Sequence, residues 1–208
     1  MSTPETQARS VPPFADAACA ELPTCARDRI FEAARLLFYR YGIRGVSVDQ
    51  IAAEAKTTKV TLYRVFSSKD DLIVQVLEDH RRRFWEWWDT VIAPFDGNPR
   101  KQIEAVFEAL TEQVCSPEAE RGCPVANAAV EIVDEEHPAK RIIDEHSNEL
   151  ARRMRKLCKA MGAKNANEIG DSLTLLVEGV FAARIVFNGK RLVQSVSRAV
   201  RVLLDSAK

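Results

Sequence analysis

An all-α fold is predicted by three observations: where the prolines stand, how few glycines there are, and how apolar residues recur at helical spacing. The 208-residue chain holds nine prolines, and none falls between residues 24 and 93 or after 138. Proline removes a helical N–H and clashes with the preceding turn, so tracts this long without it suit helices. Only eight glycines are present, and Asp96-Gly97, the one pair suited to a hairpin turn, is flanked by prolines rather than alternating strands.

The elements follow in order. Residues 1–24, with Pro4, Pro12, Pro13 and Pro23 among small polar residues, read as a flexible arm. Ile30, Ala33, Ala34, Leu37, Phe38 and Tyr41 form one helical stripe that Gly42 stops. Ser47-Val-Asp-Gln50 has the form of a capping box for a short helix with Val48, Ile51, Ala52 and Ala55 inward. Thr57 and Thr58 are caps for a second short helix near 58–64 that buries Val60, with Leu62 a second inward candidate, and Ser67-Ser-Lys-Asp-Asp71 starts a long one reaching about residue 91. Beyond Pro94, helices are expected at about 99–115 (cap Asn98), 124–135, 138–161, 167–188 and 190–206.

Composition narrows the function classes. With 46% apolar residues the chain can build a core, which excludes a largely disordered protein. No uncharged stretch approaches the ~20 residues that span a bilayer, and no basic-then-apolar leader opens the sequence, so a cytoplasmic protein with no membrane partner is expected. Five cysteines, an odd number with no C-x-x-C pair, argue for reduced thiols rather than a disulfide framework or a zinc finger. No metal or other cofactor is implied, since His80, His137 and His146 lie at no metal-ligand spacing. Net charge is zero, yet residues 27–83 carry +4 and the remainder −4. A local polyanion contact by the basic segment follows.

That segment contains two short helices around a tight turn, supported by a helix before and a longer one after. This is the layout of a helix-turn-helix, whose second short helix enters the DNA major groove. Thr57, Thr58, Lys59 and Thr61 stand at the start of that helix, with Tyr63 and Arg64 one turn on, and Ser47 and Lys69 at neighbouring helix starts. Hydroxyls, amines, a phenol and a guanidinium are the donors that phosphates take.

Arg29-Ile-Phe-Glu-Ala-Ala-Arg-Leu-Leu-Phe38, Gly42, Val46-Ser-Val-Asp-Gln-Ile-Ala-Ala53 and Thr61-Leu-Tyr-Arg-Val-Phe-Ser-Ser-Lys-Asp-Asp-Leu72 together resemble the N-terminal domain of the TetR/AcrR transcriptional regulators. The likeness covers about 27–75. It implies a helix-turn-helix DNA-binding domain at 25–70 and a ligand-binding and dimerisation domain at 71–208. It also implies a homodimer on a double-stranded DNA operator, released by an unknown small-molecule effector. Thr58, Lys59, Thr61, Tyr63 and Lys69 become the DNA contacts it implies. The last two helices would form the dimer interface, through Leu173, Leu176, Val177, Val180, Arg184, Val196, Val200 and Leu203. Arg121-Gly-Cys-Pro-Val-Ala-Asn127 followed by Glu131 resembles a segment of one subset of the family.

Two positions depart from the family pattern. Lys56 stands in the turn where glycine is common, and Val60 where a small residue is common. Lys56 either takes a left-handed conformation, at about 1–2 kcal/mol, or sits in a differently shaped turn as an extra phosphate contact. In the body, Trp88, Phe107, Cys123 and Asn127 are the candidate ligand contacts, although the simpler reading of the three tryptophans at 85, 87 and 88 is a core plug between head and body. Cys123 starts a helix, where the dipole lowers a thiol pKa, although a small buried apolar residue is the simpler reading. The rivals to a regulator are a helical enzyme using a Cys/His pair and a helical protein-interaction adaptor that has lost DNA binding.

Overall fold

The computed structural model describes residues 25–116, 121–183 and 187–207. Among them the chain is all-helical: α1 (Ala26–Tyr41), α2 (Val48–Glu54), α3 (Lys59–Val65), α4 (Lys69–Ile92), a 3-10 turn (Ala93–Phe95), α5 (Pro99–Val114), α6 (Pro124–Glu131), α7 (Lys140–Ala160), α8 (Ala166–Ala183) and α9 (Gly189–Asp205). The expected arm at 1–24, Cys19 and Arg184 lie outside the described residues.

Side-chain caps set the starts. Ser47, Thr58, Ser68, Asn98 and Asn188 each accept a hydrogen bond from the backbone N–H three residues on. α1, α2 and α3 pack on one another around Ile30, Ala34, Ile51, Leu62 and Phe66, all essentially buried. Each large member of that set contributes about 1.5–3 kcal/mol by leaving water. α4 joins head to body: it packs on α1 at one end and on α5, α6 and α7 further along. α5 lies centrally, against α4, α7, α8 and α9, with Ile103, Val106, Phe107, Leu110 and Val114 buried.

Three differences from the sequence expectations concern α1, α6 and α7. α6 stops at Glu131 rather than near 135. The residues that follow include Asp134-Glu-Glu136, and acidic charge at a helix C-terminus opposes the macrodipole; Ile132 meanwhile turns extended and buries. α7 begins two residues after Pro138, where His137 Nδ1 accepts from the Ala139 N–H at 3.1 Å. Tyr41 is 64% exposed rather than part of the α1 stripe, and Tyr39 is buried in its place.

Candidate nucleic-acid interface

The head presents α3 on a tightly held turn. Ser47 and Gln50 form the capping box, with Ser47 Oγ accepting from the Gln50 N–H at 3.2 Å and Gln50 Oε1 accepting from the Ser47 N–H at 2.7 Å. At the other end of α2, the Thr57 N–H donates to Ala52 O at 2.9 Å and the Lys56 N–H to Ala53 O at 3.1 Å. That pair is a Schellman motif, which requires a left-handed residue after the cap. Lys56 supplies it at φ 49°, the one positive-φ residue other than glycine among the described residues. Thr58 then caps α3, accepting from the Thr61 N–H at 3.1 Å while the two hydroxyls meet at 3.0 Å.

These bonds sort the sequence-derived candidates. Ser47, Thr58 and Thr61 have their hydroxyls engaged in capping, so they place α2 and α3 before they can meet anything else. Lys56 and Lys59 are exposed, Thr57 half-buried, and the Lys59 ammonium lies 3.1 Å from Asp49 Oδ2. Leu62 turns inward, fully buried. Val60, expected to be buried, is 71% exposed, because Leu62 takes the inward position and residues two apart on a helix point to nearly opposite sides. The outward face of α3 is then Val60, Tyr63 (47% exposed) and Arg64 at i, i+3 and i+4. Lys69 corrects an expectation. Its ammonium turns into the head, donating to Ile43 O at 2.7 Å and lying 5.9 Å from the Phe38 ring centre. Burial lowers its pKa, and the charges of Asp70 and Glu131 partly offset this. Its long stem reaches a loop carbonyl, so Lys69 ties α4 to the α1–α2 loop rather than facing outward.

The segment 121–131 joins body to head. The Arg121 N–H donates to Tyr39 Oη at 3.0 Å and its guanidinium to Arg40 O at 2.8 Å, while Asn127 holds Arg121 O at 2.7 Å. At the far end of α6, Glu131 Oε2 accepts from the Arg44 N–H at 2.9 Å. Gly42, at φ 81°, leaves room for that carboxylate, because a Cβ there would stand 2.7 Å from Glu131 Oε1. His137 Nε2 lies 3.4 Å from Asp70 Oδ1 nearby. The sequence singled out this segment by resemblance alone; its contacts with the end of α1 had no local signal.

In the body the four ligand candidates divide. Asn127 lines a cavity of about 40 Å³ between α1, α4 and α6, with Tyr39, Leu77, His80 and Ala128. Cys123 is buried beside it, its Sγ 3.9 Å from His80 Nε2. Trp88 is buried and borders an open groove between the end of α4 and α7, near Arg152, Arg153 and Lys156. Phe107 is sealed in the core. The Cys123 thiol contradicts the helix-dipole expectation: burial, then the nearby Glu178 charge, push it up to about 12, outweighing the Val125 and Ala126 N–H groups. A protonated thiol is a poor nucleophile, which leaves the Cys/His enzyme reading without its thiolate. His146 is buried on the Phe84 ring (4.9 Å) and the Trp85 ring (5.3 Å), and burial, with Arg81 nearby, lowers it to about 4. Trp85, Trp87 and Trp88 belong to this aromatic plug. Among the described residues no group of three or more His, Cys, Asp or Glu could hold a metal ion, and no helix is long and apolar enough to cross a membrane.

On α8 and α9, Leu173, Val177, Val180, Val196 and Val200 are buried inside the chain's own core, so they are unavailable to a partner; Leu176 and Leu203 are half-buried. Five of the eight residues that the resemblance assigned to dimer contact thus face inward. Outward on α8 lie Ser172, Leu175, Gly179 and Ala182, and on α9 Val193 and Val202, with Leu175 73% and Val202 62% exposed.

Residues 30–76 match the family described as bacterial regulatory proteins, tetR family. The crystal structure of SCO4454, a TetR-family transcriptional regulator from Streptomyces coelicolor, superposes with a TM-score of 0.82 at 30% identity, over 88% of this chain and 89% of that one. The sav143 regulator of Streptomyces avermitilis gives a TM-score of 0.76 at 28% identity, over 88% and 98%. The HTH-type transcriptional repressor SCO4008 of Streptomyces coelicolor is 45% identical over 56 residues, 27% of this chain and 29% of that protein. The matches to curated relatives thus span at most about half of those relatives' length. With the head's geometry, the matched motif and the likeness to SCO4454 over most of both chains in agreement, the chain belongs to the TetR family of bacterial regulatory proteins.

Proposed function

We propose that this protein is a transcriptional repressor that binds a palindromic double-stranded DNA operator as a homodimer and leaves it when a small molecule binds the body. The observation that carries the reading is the outward face of α3. A phenol and a guanidinium stand beside an exposed valine on a helix whose caps fix it against the head, within the basic part of the chain. The repressor relative SCO4008 matches over a segment of this size, which supports the same reading.

In this reading Tyr63, Arg64, Lys56 and Lys59 reach phosphates, while Ser47, Thr57, Thr58 and Thr61 hold the frame. A dimer has to set its two α3 helices about 34–36 Å apart, or a little more, to meet successive major grooves. The exposed stripe of Leu175, Gly179 and Ala182, with Val202, is the surface proposed for the partner subunit, its small residues allowing close helix approach. An effector acts by binding a body conformation in which that spacing is wrong, and only through its differential affinity for the two states. α4 carries the change directly, and the α6 contacts on Tyr39, Arg40 and Arg44 carry it to α1 and the loop before α2.

The test is a gel shift on duplexes selected from a random pool. Tyr63→Ala should weaken binding about tenfold per half-site, the scale of a hydrogen bond to a charged group, with the melting temperature unchanged. Wild-type affinity should also fall steeply with salt as counterions are released. No enrichment of any duplex, or wild-type affinity in the variant, refutes the reading.

A further inference from the structure

We infer that Val60 reads a thymine methyl group in each operator half-site. This rests on the proposed DNA-binding reading and adds to it one base identity. Val60 is 71% exposed on the first turn of α3, where the fold gains nothing from it. A β-branched residue is a middling helix former, so local structure does not call for valine there.

Its neighbours leave the position to it. The Thr58 and Thr61 hydroxyls are 3.0 Å apart in the cap, Lys59 leans 3.1 Å from Asp49, and Leu62 is buried. Helix-turn-helix proteins present the N-terminal residues of this helix to base edges. In the major groove every base edge offers hydrogen-bond donors or acceptors, and the thymine C5-methyl is the one apolar group. An isopropyl group facing any other edge would strip water from polar atoms and return nothing. Tyr63 and Arg64, three and four residues on along the same face, reach the flanking backbone and fix the register.

The experiment replaces each thymine of a selected duplex, one position at a time, with deoxyuridine, which removes the methyl and nothing else. Affinity is measured by fluorescence anisotropy for the wild type and Val60→Ala, with circular dichroism confirming that the variant folds. In the wild type one uracil position per half-site should weaken binding about fourfold, and both together roughly fifteenfold, the scale of one buried methyl group per site. In Val60→Ala that sensitivity should shrink to less than half. Uracil tolerated everywhere by the wild type, or a position equally sensitive in both proteins, overturns the inference while leaving DNA binding intact. Absence of specific binding by the wild type to any duplex overturns both.

Discussion

Gly42 and Glu131 should be energetically coupled, and a double-mutant cycle measures it. Gly42 has φ 81° and ψ 159°, a region essentially restricted to glycine, so alanine there costs about 1–3 kcal/mol in backbone strain. Its Cβ would also stand 2.7 and 2.9 Å from the two Glu131 carboxylate oxygens. The carboxylate must swing away and release the Arg44 N–H, which it holds at 2.9 Å. Because that bond is partly exposed, its loss costs about 1 kcal/mol rather than the larger value of a buried charged bond. Gly42→Ala should therefore destabilise by about 2–4 kcal/mol and Glu131→Ala by about 1 kcal/mol. The double variant should fall short of their sum by about 1 kcal/mol, since removing the carboxylate removes both the clash and the bond. Urea unfolding at fixed protein concentration, followed by tryptophan fluorescence, reads all four proteins. Additivity within about 0.3 kcal/mol would refute the reasoning.

Other consequences are equally specific. Lys56→Gly relieves the left-handed strain, so it should stabilise the protein by about 0.5–1 kcal/mol in thermal melts while lowering the salt slope of DNA binding; a destabilised variant contradicts the Schellman geometry. Mass spectrometry after brief alkylation at neutral pH should find adducts at the exposed Cys25 and Cys115 but not at Cys123 or Cys158, whose burial raises them to about 12 and about 11; early labelling of Cys123 contradicts its environment. His146 stays neutral down to about pH 4 when folded, whereas its unfolded form takes a proton near the ordinary 6.5. Between those values the unfolded state binds more protons, so stability is intact above about 6.5 and falls on acidification, by up to about 3 kcal/mol. His146→Phe should flatten that part of the profile, and an unchanged slope would exclude His146 as its source. Leu175→Glu should yield monomers in sedimentation with helicity retained, while an intact dimer would move the partner surface elsewhere.

The sequence carried the helices well wherever periodicity and capping agreed. Ser47, Thr58, Ser68 and Asn98 announced four starts, and Gly42 one stop, because capping is a local matter of side chain and backbone. The left-handed Lys56 was one of two alternatives raised by the glycine common at that turn in the family, and Leu62 was read inward together with Val60, which the structure exposes. What escaped depended on distant partners. Lys69 finds a carbonyl 26 residues away, and Glu131 a loop 87 residues away, which no spacing rule reveals. The apolar stripes of α8 and α9 were legible, but not which stripe faces the chain's own core: α8 packs on α5, α7 and α9, and they claim Leu173, Val177 and Val180. Cys123 is the opposite case: the simpler reading, a small buried residue, is what the structure shows, and burial outweighs the helix start.

The central claim, that α3 reads duplex DNA from two copies of this chain, is tested most directly by hydroxyl-radical footprinting on a duplex selected by the wild-type protein. Two protected patches centred about 10 base pairs apart, or modestly more, lost together in Tyr63→Ala, are the predicted result. A single patch, or protection that survives in Tyr63→Ala, would contradict it.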